Sequence, residues 1–197
     1  MRYRMFLLSP AYEGGWRARL LLKDDADFPL ARRFREGTLV TLGEAFTFLS
    51  GLYFRGKLEY ATRFARPPQR RPGVWIITPN RGLLPADQTI SPQELAQLGA
   101  ADVAPRDARY RIPLERDALV MGTNSETDFV LLGSVASDRY AELLVSVLGT
   151  RLLYPVDFVD RGDMNRGALM LGAARSGKEL QYQSLAVTVR RASRLMP

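Results

Sequence analysis

Two short apolar runs joined by one helical segment constrain the fold of this chain more than any other feature. Phe129-Val130-Leu131-Leu132-Gly133 reads as a buried strand, followed by the loop Ser134-Val135-Ala136-Ser137 and a helix from Asp138 to about Leu148. A second strand from Arg151 to Tyr154 leads through Pro155 into the polar segment Asp160-Arg161-Gly162-Asp163-Met164-Asn165-Arg166-Gly167. Apolar runs of this length, bounded by turn residues and separated by a helix, are the pattern of a βαβ unit. Parallel strands need such a crossover, and it is right-handed. Met5 to Leu8 and Val74-Trp75-Ile76-Ile77 supply further apolar runs, each ended by a Pro-containing loop. The expectation is an α/β three-layer sandwich with a mostly parallel sheet of four or five strands. Its core strands fall near residues 4–9, 74–78, 129–133 and 151–154. A length of 197 residues suits a single domain over 1–197.

The chain has no cysteine and no histidine. Disulfides and thiolate catalysis are thereby excluded, as are the commonest general base and the commonest metal ligand. A histidine-activated triad or a zinc centre does not fit, and no metal or cofactor is expected. Acid–base chemistry falls to Asp, Glu, Lys or Tyr. The formal charge is +7, from 28 Lys and Arg against 21 Asp and Glu. Only Lys23, Lys57 and Lys178 are lysines. Arginine favours bidentate phosphate contact, whereas a GC-rich genome would enrich Arg codons without any such role. The net charge favours a polyanionic partner. No apolar run approaches the roughly 18 residues of a membrane span, and the apolar core of residues 5–8 is too short for a signal peptide. A cytoplasmic location, away from membranes, is expected.

Other segments read more locally. Trp16, after the paired Gly14-Gly15, is read as core at a turn, while Tyr12, Trp16 or Tyr53 could serve to stack a flipped base, and Pro29 to Glu36 is read as a short basic helix stopped by Gly37. Thr41 to Phe64 carries apolar residues at three- and four-residue steps and is read as helix, interrupted at Gly51 or Gly56. Residues 63–73 form a stiff basic linker. Gln93 to Leu98 is a helix with Ser91 as cap and Pro92 at its first position. Residues 99–127, with Pro105 and Pro113, read as an irregular excursion. A helix starts near Asp163, which can cap it, and Leu185 to Val189 alternates like an edge strand before a basic tail at 190–197.

In open α/β sheets ligands sit beyond the carboxyl ends of the strands. That rule picks out Ser9 and Tyr12 after the first strand, Thr78, Asn80 and Arg81 after the second, and Gly133 and Ser134 after the third. Arg161, Gly162, Asn165 and Arg166 flank a helix N-terminus, where free N–H groups favour anions. Asp163 and Arg166 can equally form a local cap and salt bridge. Tyr53-Phe54-Arg55-Gly56-Lys57 interleaves aromatics with bases. Tyr53, Arg55 and Lys57 can therefore stack a base and hold a phosphate, or simply pair a core face with a solvated one. Glu13, Asp87 and Asp163 are the carboxylates placed to act as a base. Gly172 to Glu179 approaches a phosphate-cradling loop, but Glu179 stands where Ser or Thr must bind magnesium.

The run Ile77-Thr78-Pro79-Asn80-Arg81-Gly82-Leu83-Leu84-Pro85-Ala86-Asp87 resembles the strand-then-"YGL-x-P" loop of a group of bacterial proteins of unknown function. Phe129 to Gly133, Tyr140, Leu143-Leu144, Tyr154-Pro155, Gly162 and Leu169 resemble that group's second half, so the similarity spans about Ile77 to Leu171. The group shares an α/β domain with archaeosine-type tRNA-guanine transglycosylases and is related in fold to uracil-DNA glycosylases. The resemblance implies a uracil-DNA-glycosylase-like fold and a nucleic-acid- or nucleotide-binding domain, acting on an N-glycosidic bond if it is an enzyme. A uracil-DNA glycosylase typically uses an Asp after its first strand and a His in its last loop. Here Glu13 is the nearest carboxylate and no His exists. Two other readings stay open: an enzyme acting on a small nucleoside or phosphorylated substrate, and a protein-interaction module with a basic face.

Overall fold

A computed structural model describes residues 2–10, 15–100, 107–134 and 140–187. In chain order these form β1 (Tyr3–Leu8), α1 (Trp16–Leu21), α2 (Pro29–Arg35), α3 (Leu42–Ser50), α4 (Leu52–Phe64), β2 (Val74–Thr78) and β3 (Gly82–Pro85). There follow α5 (Pro92–Gly99), α6 (Ala108–Gly122), β4 (Thr127–Leu132), α7 (Ala141–Leu148), β5 (Leu152–Pro155), α8 (Asp163–Ser176) and β6 (Tyr182–Ser184).

The strands make one six-stranded sheet in the order β3-β2-β1-β4-β5-β6. The inner four run parallel, and β3 and β6 are antiparallel edges. The α/β class is as expected, but the sheet is mixed and larger than four or five mostly parallel strands. Both added strands are short returns. After β2 the chain reverses in a tight turn in which Thr78 Oγ donates to the Gly82 carbonyl at 2.9 Å and accepts from Arg81 N–H at 3.1 Å. Gly82 has φ +70°, a value that disfavours side chains. Pro85 ends β3 at the sheet's edge, where its missing N–H is tolerated. At the other edge, Tyr182 to Ser184 pair with β5. The expected strand at 185–189 is thus displaced toward the N-terminus: Leu185 to Val187 are helical, and 188–189 lie outside the described residues.

β1 and β4 are buried on both faces, so their apolar residues sort by the period of two. Phe6, Leu8, Val130 and Leu132 enter one core cluster, with residues of α1, α2, α3, α4, α5 and α8. Met5, Leu7, Phe129 and Leu131 enter the other, with residues of α6 and α7. Helices therefore cover both sides of the sheet.

Local chemistry explains most helix boundaries. Thr41 and Glu44 form a reciprocal capping box at the start of α3, and Ser91 and Glu94 form another at α5, with Pro92 at its first position. The 41–64 segment is two helices, divided at Gly51, whose φ is +61°. The region expected to be irregular contains the 15-residue α6, begun by Asp107, whose carboxylate accepts from Arg109 N–H at 2.8 Å. Pro113 lies within it. Trp16 opens α1 and is 63% exposed, not core. α8 has Gly162 as its N-cap with no side-chain cap bond, so Asp163 does not cap it.

The segment resembling a phosphate loop lies at the end of α8 rather than after a strand. Its Glu179 is held by Arg4 and Arg66 and accepts from the Tyr182 hydroxyl at 3.0 Å. The hydroxyls of Tyr60 and Tyr182 are 2.5 Å apart, and Tyr60 accepts from Leu180 N–H at 2.9 Å. Because Tyr182 spends its proton on Glu179, Tyr60 is the donor between the two. This relay ties the chain after α8 to α4 and β1.

α4 and α8 touch through glycine. A Cβ on Gly56 would stand 2.7 Å from the Gly167 carbonyl oxygen, and one on Gly167 would stand 3.0 Å from the Tyr53 Cα. Because the obstacle is backbone, it cannot swing aside. Gly56→Ala is expected to destabilise the fold by about 1–3 kcal/mol, the usual cost of overpacking, measured by urea unfolding. An unchanged midpoint would show that the two helices are not in fixed contact.

Candidate functional site

The strand order places a topological switch point between β1 and β4. From β1 the chain crosses to β2 on one side, and later to β4 and β5 on the other. Ligands in such sheets bind where the crossovers diverge, beyond the carboxyl ends of the two central strands. Ser9 and Gly133 stand there, each directly after its strand.

The group that distinguishes this position is Lys57. It lies on the inner face of α4, 1% exposed, between the buried Phe54 and Tyr60-Ala61. Its Nζ donates to Ser9 Oγ at 2.7 Å and to the Ser9 carbonyl at 3.1 Å. Nζ also lies 4.2 Å from the centre of the Tyr53 ring and 5.2 Å from that of Phe54. No carboxylate among the described residues forms an ion pair with it. An ammonium so deprived of water is disfavoured, and burial pulls the Lys57 pKa down to about 7. Asp163 opposes that fall and Arg166 reinforces it, both as smaller effects.

Glycine lets the strand ends close over this amine. A Cβ on Gly133 would stand 2.6 Å from the Tyr140 hydroxyl, 2.7 Å from Ser9 Cβ and 3.0 Å from Ser9 Oγ. Ser9 and Tyr140 therefore occupy the space a side chain at 133 would need. The buried Tyr53 hydroxyl has no hydrogen-bond partner among the described residues by geometry. Burial, and then the charge of Asp163, push its pKa up to about 12, although Arg166 acts on it in the lowering direction.

α8 brings charged groups to the same end of the sheet. Arg166 is anchored by donating from Nε and Nη2 to the Phe158 carbonyl at 3.1 and 2.9 Å, and its Nη1 lies 3.6 Å from Asp163. Arg161, Gly162 and Asn165 are exposed at the same helix start. Trp16 stands at this end of the sheet too. Its neighbour Arg17 reaches the Phe48 carbonyl at 3.2 Å, at the junction of α3 and α4 and close before Tyr53.

The structure thus brings together Ser9, Tyr53, Lys57, Gly133, Asp163 and Arg166. The Thr78–Arg81 loop is engaged elsewhere. Thr78 is fully buried in its turn, Asn80 donates to the Gln97 carbonyl at 3.0 Å, and Arg81 binds Glu94 and Gln97 at 3.1 and 2.7 Å. Arg55 points outward and pairs with Glu59 at 2.6 Å, and Ser134 is half-buried beside Gly133. Asp87 follows the end of β3, which lies opposite the start of β2, so it is at the other end of the sheet from Ser9. There it lines a separate, mainly apolar cavity of about 440 Å³ with Thr41, Leu58 and Val74. Tyr12 and Glu13 lie outside the described residues. Two features escaped sequence reasoning: the Ser9–Lys57 contact across 48 positions, and Tyr140 as a neighbour of Ser9. The signal for the first was a lone lysine on the apolar stripe of a helix.

Among the described residues no helix is long and apolar enough to cross a membrane, and no group of three or more carboxylates could hold a metal. Comparison with family models, curated proteins and solved structures finds no match for this chain.

The depressed pKa of Lys57 has a stability consequence with a definite sign. An unfolded lysine stays protonated to about pH 10.4, while the folded one loses its proton near pH 7. Between these values the unfolded state binds more protons, so stability rises with pH through that window. Relative to Lys57→Met, the parent should gain up to about 1.4 kcal/mol per pH unit between roughly pH 7 and 10, followed by urea unfolding at several pH values. A flat difference across that range would mean that Lys57 titrates normally.

Proposed function

We propose that this protein is a nucleic-acid- or nucleotide-binding domain, related in fold to the uracil-DNA glycosylases, that takes its ligand in the crevice beyond β1 and β4. The observation that carries the reading is the Lys57 amine on Ser9, a buried basic group with no bound carboxylate among the described residues, at the switch point of an α/β sheet. An anionic ligand there would return to the lysine part of the stabilisation it loses on leaving water. The rim supports the same chemistry. Arg161 and Asn165 are exposed at the start of the 14-residue α8, and Trp16 offers an exposed face on which a base can stack. The excess of 28 basic over 21 acidic residues supports a polyanionic partner over a neutral one.

Fluorescence anisotropy with labelled single-stranded DNA, duplex DNA and RNA, at low and at physiological salt, tests the proposal. Binding should prefer one form and persist at physiological salt, with the linear dependence on log salt that phosphate contacts produce. Trp16→Ala and Arg161→Ala change exposed residues and leave the core intact, and each should weaken binding about tenfold, in line with the loss of one stacking or phosphate contact. Equal binding by the parent and both variants would remove the proposed rim. Weak binding to all three forms that vanishes with salt, together with no thermal shift from mononucleotides, would remove the nucleotide reading itself.

A further inference from the structure

The contact between Ser9 and Lys57 has a use beyond holding an anion. We propose that Ser9 Oγ is a nucleophile, that Lys57 is its general base, and that the crevice hydrolyses a carboxylic ester through an acyl–serine intermediate. This rests on the crevice being a ligand site, but not on the ligand being a nucleotide.

Three observations support it. First, a hydroxyl and an amine 2.7 Å apart lie within direct proton-transfer distance. Second, their order is correct: Ser9 is the outer group, 7% exposed, and Lys57 lies behind it at 1%. Third, the base has a reason to be neutral. Ser9 faces it from β1, Tyr53 and Phe54 cover it from its own helix, and Asp163 and Arg166 of α8 act on it with opposite signs; Tyr140 stands beside Ser9. Burial outweighs the rest and leaves a pKa of about 7, where a general base works best at neutral pH. A hydroxyl activated by one amine suits the one oxyanion of a carbonyl adduct better than the several charged oxygens of a phosphoryl group.

The balance is simple. Lys57 Nζ takes the Ser9 hydroxyl proton as Oγ bonds to the carbonyl carbon. The carbon–oxygen bond to the alcohol then breaks, and that oxygen leaves with the proton from Nζ. Water attacks the Ser9 ester with Nζ again taking a proton, and the carboxylic acid departs as Ser9 Oγ recovers it. No oxidant, reductant or metal enters.

The experiment is labelling of the full chain with an alkyl fluorophosphonate, which forms an Oγ–P bond and releases fluoride, read by intact mass and peptide mapping. Turnover of p-nitrophenyl acetate is followed in parallel. A single adduct on Ser9 is expected, absent in Ser9→Ala and in Lys57→Met. Its rate should rise about tenfold per pH unit below pH 7 and level off above it, as the neutral fraction of the base does. Ester turnover in the parent should exceed that of Ser9→Ala at least tenfold. If Lys57→Met does not fold, the pH profile of the parent decides. Absence of a Ser9 adduct from folded protein, a pH-independent labelling rate, or ester turnover equal to that of Ser9→Ala would each overturn the proposal. Neither probe contains a nucleotide, so failed oligonucleotide binding leaves this result standing, and failed labelling leaves the binding result standing.

Discussion

The central pairing of β1 with β4 is the constraint on which the rest of the structure depends. Six successive residues of β1, Tyr3 to Leu8, run in parallel register with Thr127 to Leu132. Both strands lose solvent on both faces, so neither can exist without helices above and below. The chain meets that demand by crossing on opposite sides. One face receives α1 to α5 and α8, the other α6 and α7. The divergence of those crossovers puts the switch point of the sheet at the carboxyl ends of β1 and β4, a consequence of topology rather than of any special sequence.

What the sequence adds is an amine in a place where an apolar residue would cost nothing. Lys57 continues the stripe of Phe54, Tyr60 and Ala61 that packs α4 against the sheet. A methionine would fill the same volume without desolvating a charge. The amine is instead supplied with two oxygen acceptors from one residue and with aromatic faces, an environment that tolerates either protonation state. This end of the sheet thereby holds a group whose charge changes near neutrality in a chain that has no histidine to do so.

The parts of the fold visible in the sequence were those governed by local rules. The four inner strands were legible as apolar runs, and α5 as a cap followed by proline. The edge strands were not. Gly82 to Pro85 reads as loop because its composition is that of a turn, and it becomes strand only because Trp75 to Thr78 lie beside it. Pro113 disguised α6 in the same way, since a proline usually breaks a helix, whereas here Tyr110, Leu114, Ala118 and Met121 are buried against the sheet and hold it. For the site, strand ends pointed to Ser9 and Gly133 through a general rule of α/β sheets. Lys57 was picked out for phosphate contact within an aromatic–basic run, but its contact with Ser9 was not, because contact between residues 9 and 57 is set by helix packing. The arginines show the converse: Arg55 and Arg81 suit phosphate in composition, yet both are paired with carboxylates.

The glycine contact between α4 and α8 sets the spacing of the two helices that carry the site's side chains. One helix carries Lys57 and Tyr53, the other Asp163 and Arg166, and they meet backbone to backbone at Gly56 and Gly167. With no side chain between them to change rotamer, the contact works as a spacer of fixed thickness, and a shift of one helix has to be taken up by the backbone of the other.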